Sequence, residues 1–447
     1  MISISVVSIA VISVLLFGSV EAWAFALVGL ITLVVFNLWI YGDIGVLGIS
    51  PSRWQKTLYI SISGLVLLYI LQVIPLPASL LRFFSHRSYE LMKEIYTVPF
   101  SSGSISFCKY CTLNGVVRLV IYVMIFFMAA SLTGRDGLMR RTMTAVVIFG
   151  FIIAFFAIIQ KASWNGRIYW FRELTQGGAP FGPFVNRNDF AGFIGMVVPL
   201  GLSLSLEEQK TEKRLILIFL SLIMALGIFY SLSRGGIISF LLSMVFFVFL
   251  VATRGFSRRY IHYLLIFLSG LIFYLLYLGV SPIVNRFAES GLSSEQRIMV
   301  WKETLRAFSD FAWFGTGLGT FRYVFPLYYP RGLTGTFYYA HNDYLQFLLE
   351  TGIVGTLLLT AAFISIVVPA FTAYRKNNDS SIITAGLLAS VFYMLVHSFF
   401  DFNLHLPSNA IMFSIILGFL YGLGVKGFLP STEPGKLRSY SLPGDNG

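Results

Sequence analysis

The stretch AHNDYLQFLLETGIVGT, Ala340 to Thr356, joins a polar, titratable head to the start of a long apolar run. His341 and Asn342 form the head, and Gly352, Gly355 and Thr356 follow after nine intervening residues. From about 349 to 373 the chain is apolar enough to cross a hydrocarbon core of about 30 Å as one helix. A His at such a junction sits where lipid gives way to water, at a helix N-terminus, where it can exchange protons and still be held in place. The plainer reading is that it only caps the helix, a task that Asn or Ser does as well.

The rest of the chain repeats that pattern. Of 447 residues, 57% are hydrophobic and 12% charged, about half the charge of an ordinary soluble domain. Apolar runs long enough to span a bilayer recur throughout, which predicts an all-α, polytopic membrane protein. A β-barrel is excluded, because its strands would be about 10 residues long with alternating polarity. The first run begins without a basic leader and is read as a retained span, not a cleaved signal peptide. Twelve spans are expected, at 2–20, 22–41, 56–74, 116–132, 142–160, 189–206, 214–232, 235–252, 261–279, 349–373, 381–400 and 408–425. They divide into N-terminal helices (1–160), a membrane domain (161–425) with a large loop at 280–348 between spans nine and ten, and a polar tail (426–447) expected to be disordered.

Lys and Arg in short loops set the orientation. Arg53, Lys56, Arg135, Arg140, Arg141, Lys210, Lys213, Arg214, Arg254, Arg258, Arg259, Arg375 and Lys376 all fall on the side of the two termini, as do Lys426, Lys436 and Arg438 in the tail. The termini are therefore expected in the cytoplasm, and segments 75–115, 161–188 and 280–348 outside. The outer half still carries half of the 32 basic residues, which orientation does not require; anion binding is one cause and a solvated surface the other. Cys108 and Cys111, spaced as CKYC, are bystanders or a local disulfide, and the spacing alone leaves both open.

Several polar stretches need a reason. RFFSHRSYELMKEIY (82–96) reads as an amphipathic helix on the outer interface. SSEQRIMVWKETLRAFS (293–309) reads as a helix capped by Ser293 with Gln296 three residues on, its Ile298, Trp301, Leu305 and Phe308 stripe facing a core and Arg297 lying off the stripe. GTGLGTF (315–321) follows no strand and lacks Gly-Lys-Ser/Thr, so a nucleotide loop is not expected and tight turns near the membrane surface are. Tyr323, Phe325, Tyr328, Tyr329, Tyr338 and Tyr339 lead to His341, suiting an interfacial belt or the stacking of sugar rings. Arg234 sits in a near-loopless hairpin, where it is costly without an anion or carboxylate. Asn186, Arg187, Asn188 and Asp189 open span six, at a helix N-terminus able to bind anions. Asp401, with His405 in the turn after it, stands at the outer end of span eleven, placed to orient an Arg or His or to form a structural ion pair.

In order along the chain, an N-x-N-x-x-A opening, a Ser-Arg-Gly hairpin, a Q-R-x-x-x-W helix before a G-x-G loop, the His-Asn…Gly-x-x-Gly-Thr motif and a distal Asp resemble the O-antigen ligase and polymerase family of bacterial inner-membrane glycosyltransferases. The resemblance covers roughly 180–410. It implies glycan transfer on the periplasmic face, from a polyprenyl (undecaprenyl) diphosphate carrier to a hydroxyl on a glycan, on lipid A-core or on protein. His341 is then the expected base, Arg297 and Arg234 neutralise the leaving diphosphate, and Arg187, Asn188, Asn342 and Asp401 are expected at the substrates. No Asp-x-Asp pair for Mg²⁺ is present, so a metal-independent, inverting displacement without a cofactor is expected, with the bilayer as a partner and no nucleic acid. Ligase, polymerase and protein oligosaccharyltransferase stay open within the family. The alternative from another class is a lipid-linked oligosaccharide flippase, which would place charges in a central cavity and often show internal repeats.

Overall fold

The structure is a computed structural model that describes all residues except 1, 44–50, 96–99, 134, 136, 175–177, 255–257, 289–291, 377–380 and 427–447. Its elements are α1 (Ile2–Leu15), α2 (Ala22–Asp43), α3 (Arg53–Val73), α4 (Ala78–Phe84), α5 (His86–Ile95), α6 (Lys109–Leu132), α7 (Leu138–Ala162), α8 (Arg187–Glu207), α9 (Thr211–Tyr230), α10 (Arg234–Ala252), α11 (Arg258–Leu278), α12 (Ser281–Ala288), α13 (Leu292–Asp310), α14 (Phe321–Val324), α15 (Asp343–Lys376), α16 (Ser381–Phe400) and α17 (Pro407–Lys426). The only sheet among the described residues is a two-residue antiparallel pairing, Leu76 and Pro77 with Gly103 and Ser102. The all-α membrane architecture read from the sequence is therefore present.

Among the described residues eleven helices, rather than the twelve expected, are long and apolar enough to cross a membrane. The exception is α1. It stops at Leu15, and Phe17, Gly18 and Ser19 take positive φ in a 3₁₀ turn. Fourteen residues rise only about 21 Å, and Val6, Ile9, Ala10 and Val14 are buried in the bundle. The tail expected to be disordered lies outside the described residues.

At the centre stands α8, whose apolar window is wholly buried. Small residues let its neighbours close in: a Cβ on Gly195 would run into the Tyr393 ring of α16, and one on Gly201 into Ser221 of α9. In contrast, α2 and α11 bury little and form the periphery. At the end of α8 near Glu207, Arg140 pairs with Glu207 and Glu208 at 3.4 and 3.5 Å. At the other end, segment 280–342 builds a lobe with its own small core, in which Val300, Ala307, Phe311, Phe321, Val324 and Phe325 pack together.

Two expectations for that lobe are corrected. The residues of α13 that face the core are Val300, Thr304 and Ala307, with Phe311 just past its end; Phe308 of the expected stripe packs against that core, whereas Ile298 and Leu305 are exposed. Helical spacing shows that a face is apolar but not which face meets the 321–340 loop. The helix also starts at Leu292, so Ser293 lies inside it, and Gln296 donates to Thr334 Oγ1 at 2.8 Å. Segment 82–96 is two helices broken at Ser85, docked by Phe84 on Phe314 with ring centroids 5.2 Å apart; Tyr96 lies outside the described residues. Cys108 and Cys111 are joined as a disulfide, and Cys108 Sγ accepts from the Cys111 N–H at the start of α6.

Candidate active site

The long helix α15 is broken at Gly352, which adopts φ 67° and ψ −172°. Only glycine tolerates that region, and the backbone of Trp313 and Gly315 packs where a Cβ would stand. The N–H groups freed by the break are not lost: Ile353 donates to Ala312 O at 2.7 Å and Val354 to Trp313 O at 3.2 Å. The GTGLGTF loop wraps the same break. Thr316 and Gly317 N–H reach the carbonyls of Leu349 and Glu350, while Gly319 and Phe321 N–H hold the buried Glu350 carboxylate at 2.7 and 3.1 Å. The glycine-rich loop thus binds an anion, but one of the chain's own. Its work is to fix the nine residues of α15 that precede the break, and with them His341.

His341 is not the cap. Asn342 is, its Oδ1 accepting from the Leu345 N–H at 3.1 Å. Because the chain turns through φ 51° at His341, the imidazole faces the end of α16. There Nδ1–H donates to Asp401 Oδ1 at 3.0 Å. The His341 side chain is one-quarter exposed, and that of Asp401 is almost fully buried. Asp401 Oδ1 also accepts from the Phe402 N–H at 3.0 Å, and Oδ2 from Asn188 Nδ2. Burial pushes the Asp401 carboxyl up, but the hydrogen bond and charge of His341, with the nearby Arg297, outweigh it and hold the group at about 2.

A second His–Asp pair mirrors the first. His405 Nδ1–H donates to Asp343 Oδ1 at 2.7 Å, and the Leu404 N–H to Asp343 Oδ2 at 3.0 Å. Segments 341–343 and 401–405 therefore exchange a His for an Asp in both directions, forming a reciprocal clasp. Between the two bonds, the Phe402 ring stacks on Tyr339 at 4.2 Å and meets the His341 ring at 5.0 Å. Burial lowers the affinity of His405 for a proton, yet Asp343 outweighs it and raises His405 above its usual value.

The expected arginines arrive from separate elements. Arg297 of α13 donates Nη1–H to the Phe400 carbonyl at 3.0 Å, one residue from Asp401. Beside it, Trp301 of the same helix donates to Ala340 O at 3.0 Å, one residue from His341. Arg234 is the first residue of α10, which Ser233 caps by accepting from the Gly236 N–H. Gly235 and Gly236 let that end approach His397, Phe400 and Ala191 closely, so Arg234 enters at the same end of the bundle. Arg187 opens α8, tied by its N–H to Ala179 O at 2.7 Å. The starts of α8, α10, α15 and α17 meet here, with Asn409 Nδ2 of α17 donating to Asp189 O at 3.0 Å. Converging N-termini present positive dipole ends to an anion.

Every expected site residue thus lies at one end of the bundle, though not all in the same role. Asn342 is buried and its visible work is the cap. Part of the arginine excess in the segments expected outside is engaged in ion pairs, as in Arg172 with Glu21 at 2.5 Å and Arg306 with Glu303 at 3.6 Å. The pairing of His405 with Asp343 and the role of Glu350 escaped the sequence reading. The only signal for the pair is that H-N-D and D-F-N-L-H each carry a His and an Asp.

Residues 219–360 match the family model described as O-Antigen ligase. Over this segment the chain is similar to the O-antigen ligase family. The resemblance read from the sequence is borne out over this stretch, which runs from within α9 to within α15 and contains Arg234, Arg297, His341, Asn342 and both glycine motifs. A search of curated proteins found no match to the chain. Arg187, Asn188 and Asp401 lie outside the matched residues and are brought to them by α8 and α16. Together with the eleven membrane-length helices among the described residues, the match describes a multi-pass membrane protein that is similar, over this segment, to the O-antigen ligase family.

Proposed function

We propose that the chain moves a saccharide from a polyprenyl diphosphate to an acceptor hydroxyl at the periplasmic face of a bacterial inner membrane. The observation that carries this reading is the His341–Asp401 bond. With its proton on Nδ1 and directed at a carboxylate, the imidazole keeps the Nε2 lone pair to accept a second proton. That is the state required of a general base.

In the proposed step the acceptor hydroxyl gives its proton to His341 Nε2 while its oxygen bonds to the anomeric carbon. The bond from that carbon to the diphosphate breaks, and the diphosphate leaves with an added negative charge. Arg297 and Arg234 hold that charge through planar guanidinium forks, and Arg187 and the helix N-termini add to the field. One displacement inverts the anomeric carbon, and stabilisation by arginine takes the place of a metal. Asp401 stabilises the imidazolium as it forms. Asn188 fixes Asp401, and Asn342 acts by holding the start of α15. Lipid A-core, a second lipid-linked glycan and a protein all offer the hydroxyl this step needs.

A transfer assay with purified protein, lipid-linked donor and added acceptor tests the reading. His341→Ala and His341→Asn are both expected to abolish transfer. Wild-type turnover by His341→Asn would show that His341 is not the base. For orientation, a phosphatase reporter should be active at Thr334 and inactive at Lys210; the reverse would invert the proposed topology.

A further inference from the structure

The lobe carries a cleft of about 520 Å³ that the proposed transfer step does not use. Its volume lies within the roughly 300–1,000 Å³ typical of small-molecule sites. Phe325 and Phe337 form the floor, with ring centroids 6.2 Å apart. Phe325 is buried and held in place by stacking on Phe321 at 5.1 Å. Tyr323 and Tyr338 present their rings to the outside, 43% and 57% exposed. The rim is polar: Arg322 lies over the Tyr323 ring and donates to its hydroxyl at 2.6 Å, and Thr336 lines the opening. Tyr329 donates to the Gly335 carbonyl and closes the 329–335 loop around the cleft.

We propose that this cleft is a saccharide subsite. A pyranose ring has apolar C–H faces and a rim of hydroxyls. Exposed aromatic faces over an aromatic floor suit the former, and a guanidinium, a threonine hydroxyl and tyrosine hydroxyls suit the latter. Position supports the same occupant. Tyr338 adjoins Tyr339, whose ring stacks on Phe402, and Phe402 touches His341. The cleft is thus joined to the clasp through consecutive residues of one segment, 338 and 339. The rims of ordinary lipid-facing belts have no reason to enclose a cleft or to be backed by the lobe's own core. The proposal deepens the transfer reading by naming where sugar units beyond the reacting one are held.

The test is saturation-transfer NMR on the full chain in lipid nanodiscs. The probes are the methyl glycosides of glucose, galactose, N-acetylglucosamine and rhamnose. Ring protons of at least one glycoside should be saturated by the wild-type protein. Tyr323→Ala/Tyr338→Ala should weaken that binding about tenfold, while Tyr338→Phe, which keeps the ring, should retain it. No saturation of any glycoside by the wild type, or equal saturation by the double variant, would overturn the subsite. His341→Asn separates the two ideas. It should bind the glycoside as the wild type does, so a transfer-inactive protein that still binds supports the subsite alone. Loss of the NMR signal with His341-dependent transfer intact would overturn the subsite and leave the transfer reading standing.

Discussion

Replacing Asp401 by Asn removes one charge and changes almost nothing else. Asn keeps an oxygen where Oδ1 now accepts from His341 Nδ1 and the Phe402 N–H, both at 3.0 Å. The new amide would face Asn188, which can turn its own amide over to present oxygen. A drop in Asp401 from the usual 3.8 to about 2 means that its surroundings favour the carboxylate over the acid by about 2–3 kcal/mol. Burial opposes that preference, and His341 is its leading cause. If the same charge stabilises the imidazolium that forms during transfer, its loss should cost about 30- to 150-fold in kcat. Donor KM should hardly move, since the proton leaves only in the transition state. The assay is transfer from a lipid-linked donor with purified protein between pH 5 and 9. Thermal unfolding gives a second readout. A depressed carboxyl contributes stability that is present above its unfolded pKa and lost as pH falls through its folded one. Asp401→Asn should therefore be less stable than wild type near neutrality, with the gap closing between about pH 4 and pH 2. Asp401→Asn turning over at the wild-type kcat across the whole range would refute the role assigned to the carboxylate.

Arg297→Ala and Arg234→Ala should each lose roughly 2–4 kcal/mol of transition-state stabilisation, about 30- to 1000-fold in rate, and Lys should not rescue either; near-normal turnover in both Ala variants, at normal protein level, counts against diphosphate binding. Gly352→Ala should yield little monodisperse protein, because φ 67° costs about 1–3 kcal/mol for a residue with a Cβ and the Trp313 carbonyl occupies the space; a melting temperature equal to wild type would contradict the close approach. His405 sits above its usual 6.5 because Asp343 outweighs burial, so the pair's stability is fully present below about pH 6.5 and lost as pH rises through the folded value. His405→Ala should accordingly lower the melting temperature most in acid, and a gap that widens toward pH 9 would reverse the sign of that argument.

The membrane architecture was legible because hydropathy acts locally: a run of twenty apolar residues has few places to go but lipid or the middle of a bundle. It misjudged α1, where Phe17–Ser19 turn the chain and a run that looks long enough ends at Leu15. The stripe on α13 failed for a different reason. Ile298 and Leu305 are as apolar as Val300 and Ala307, and the choice between faces was made by the 321–340 loop, which no helical period describes.

For the site, the head His341 and the arginines could be read because a charge beside lipid demands an explanation wherever it occurs. The identity of each partner could not, since Asp401 stands 60 residues from His341 and the clasp exists only once the start of α15 meets the end of α16. The glycines show where local reading ends. GTGLGTF reads from the sequence as tight turns, and the group its N–H donors hold is the Glu350 side chain, visible only after Gly352 breaks α15. Had α15 run straight through 352, the N–H groups of Ile353 and Val354 would be spent inside the helix instead of on Ala312 and Trp313. The lobe would then lose its anchor. So the spacing between the His-Asn pair and Gly352 has a mechanical meaning: it is the length of helix needed to carry His341 from the break in α15 to the carboxylate at the end of α16.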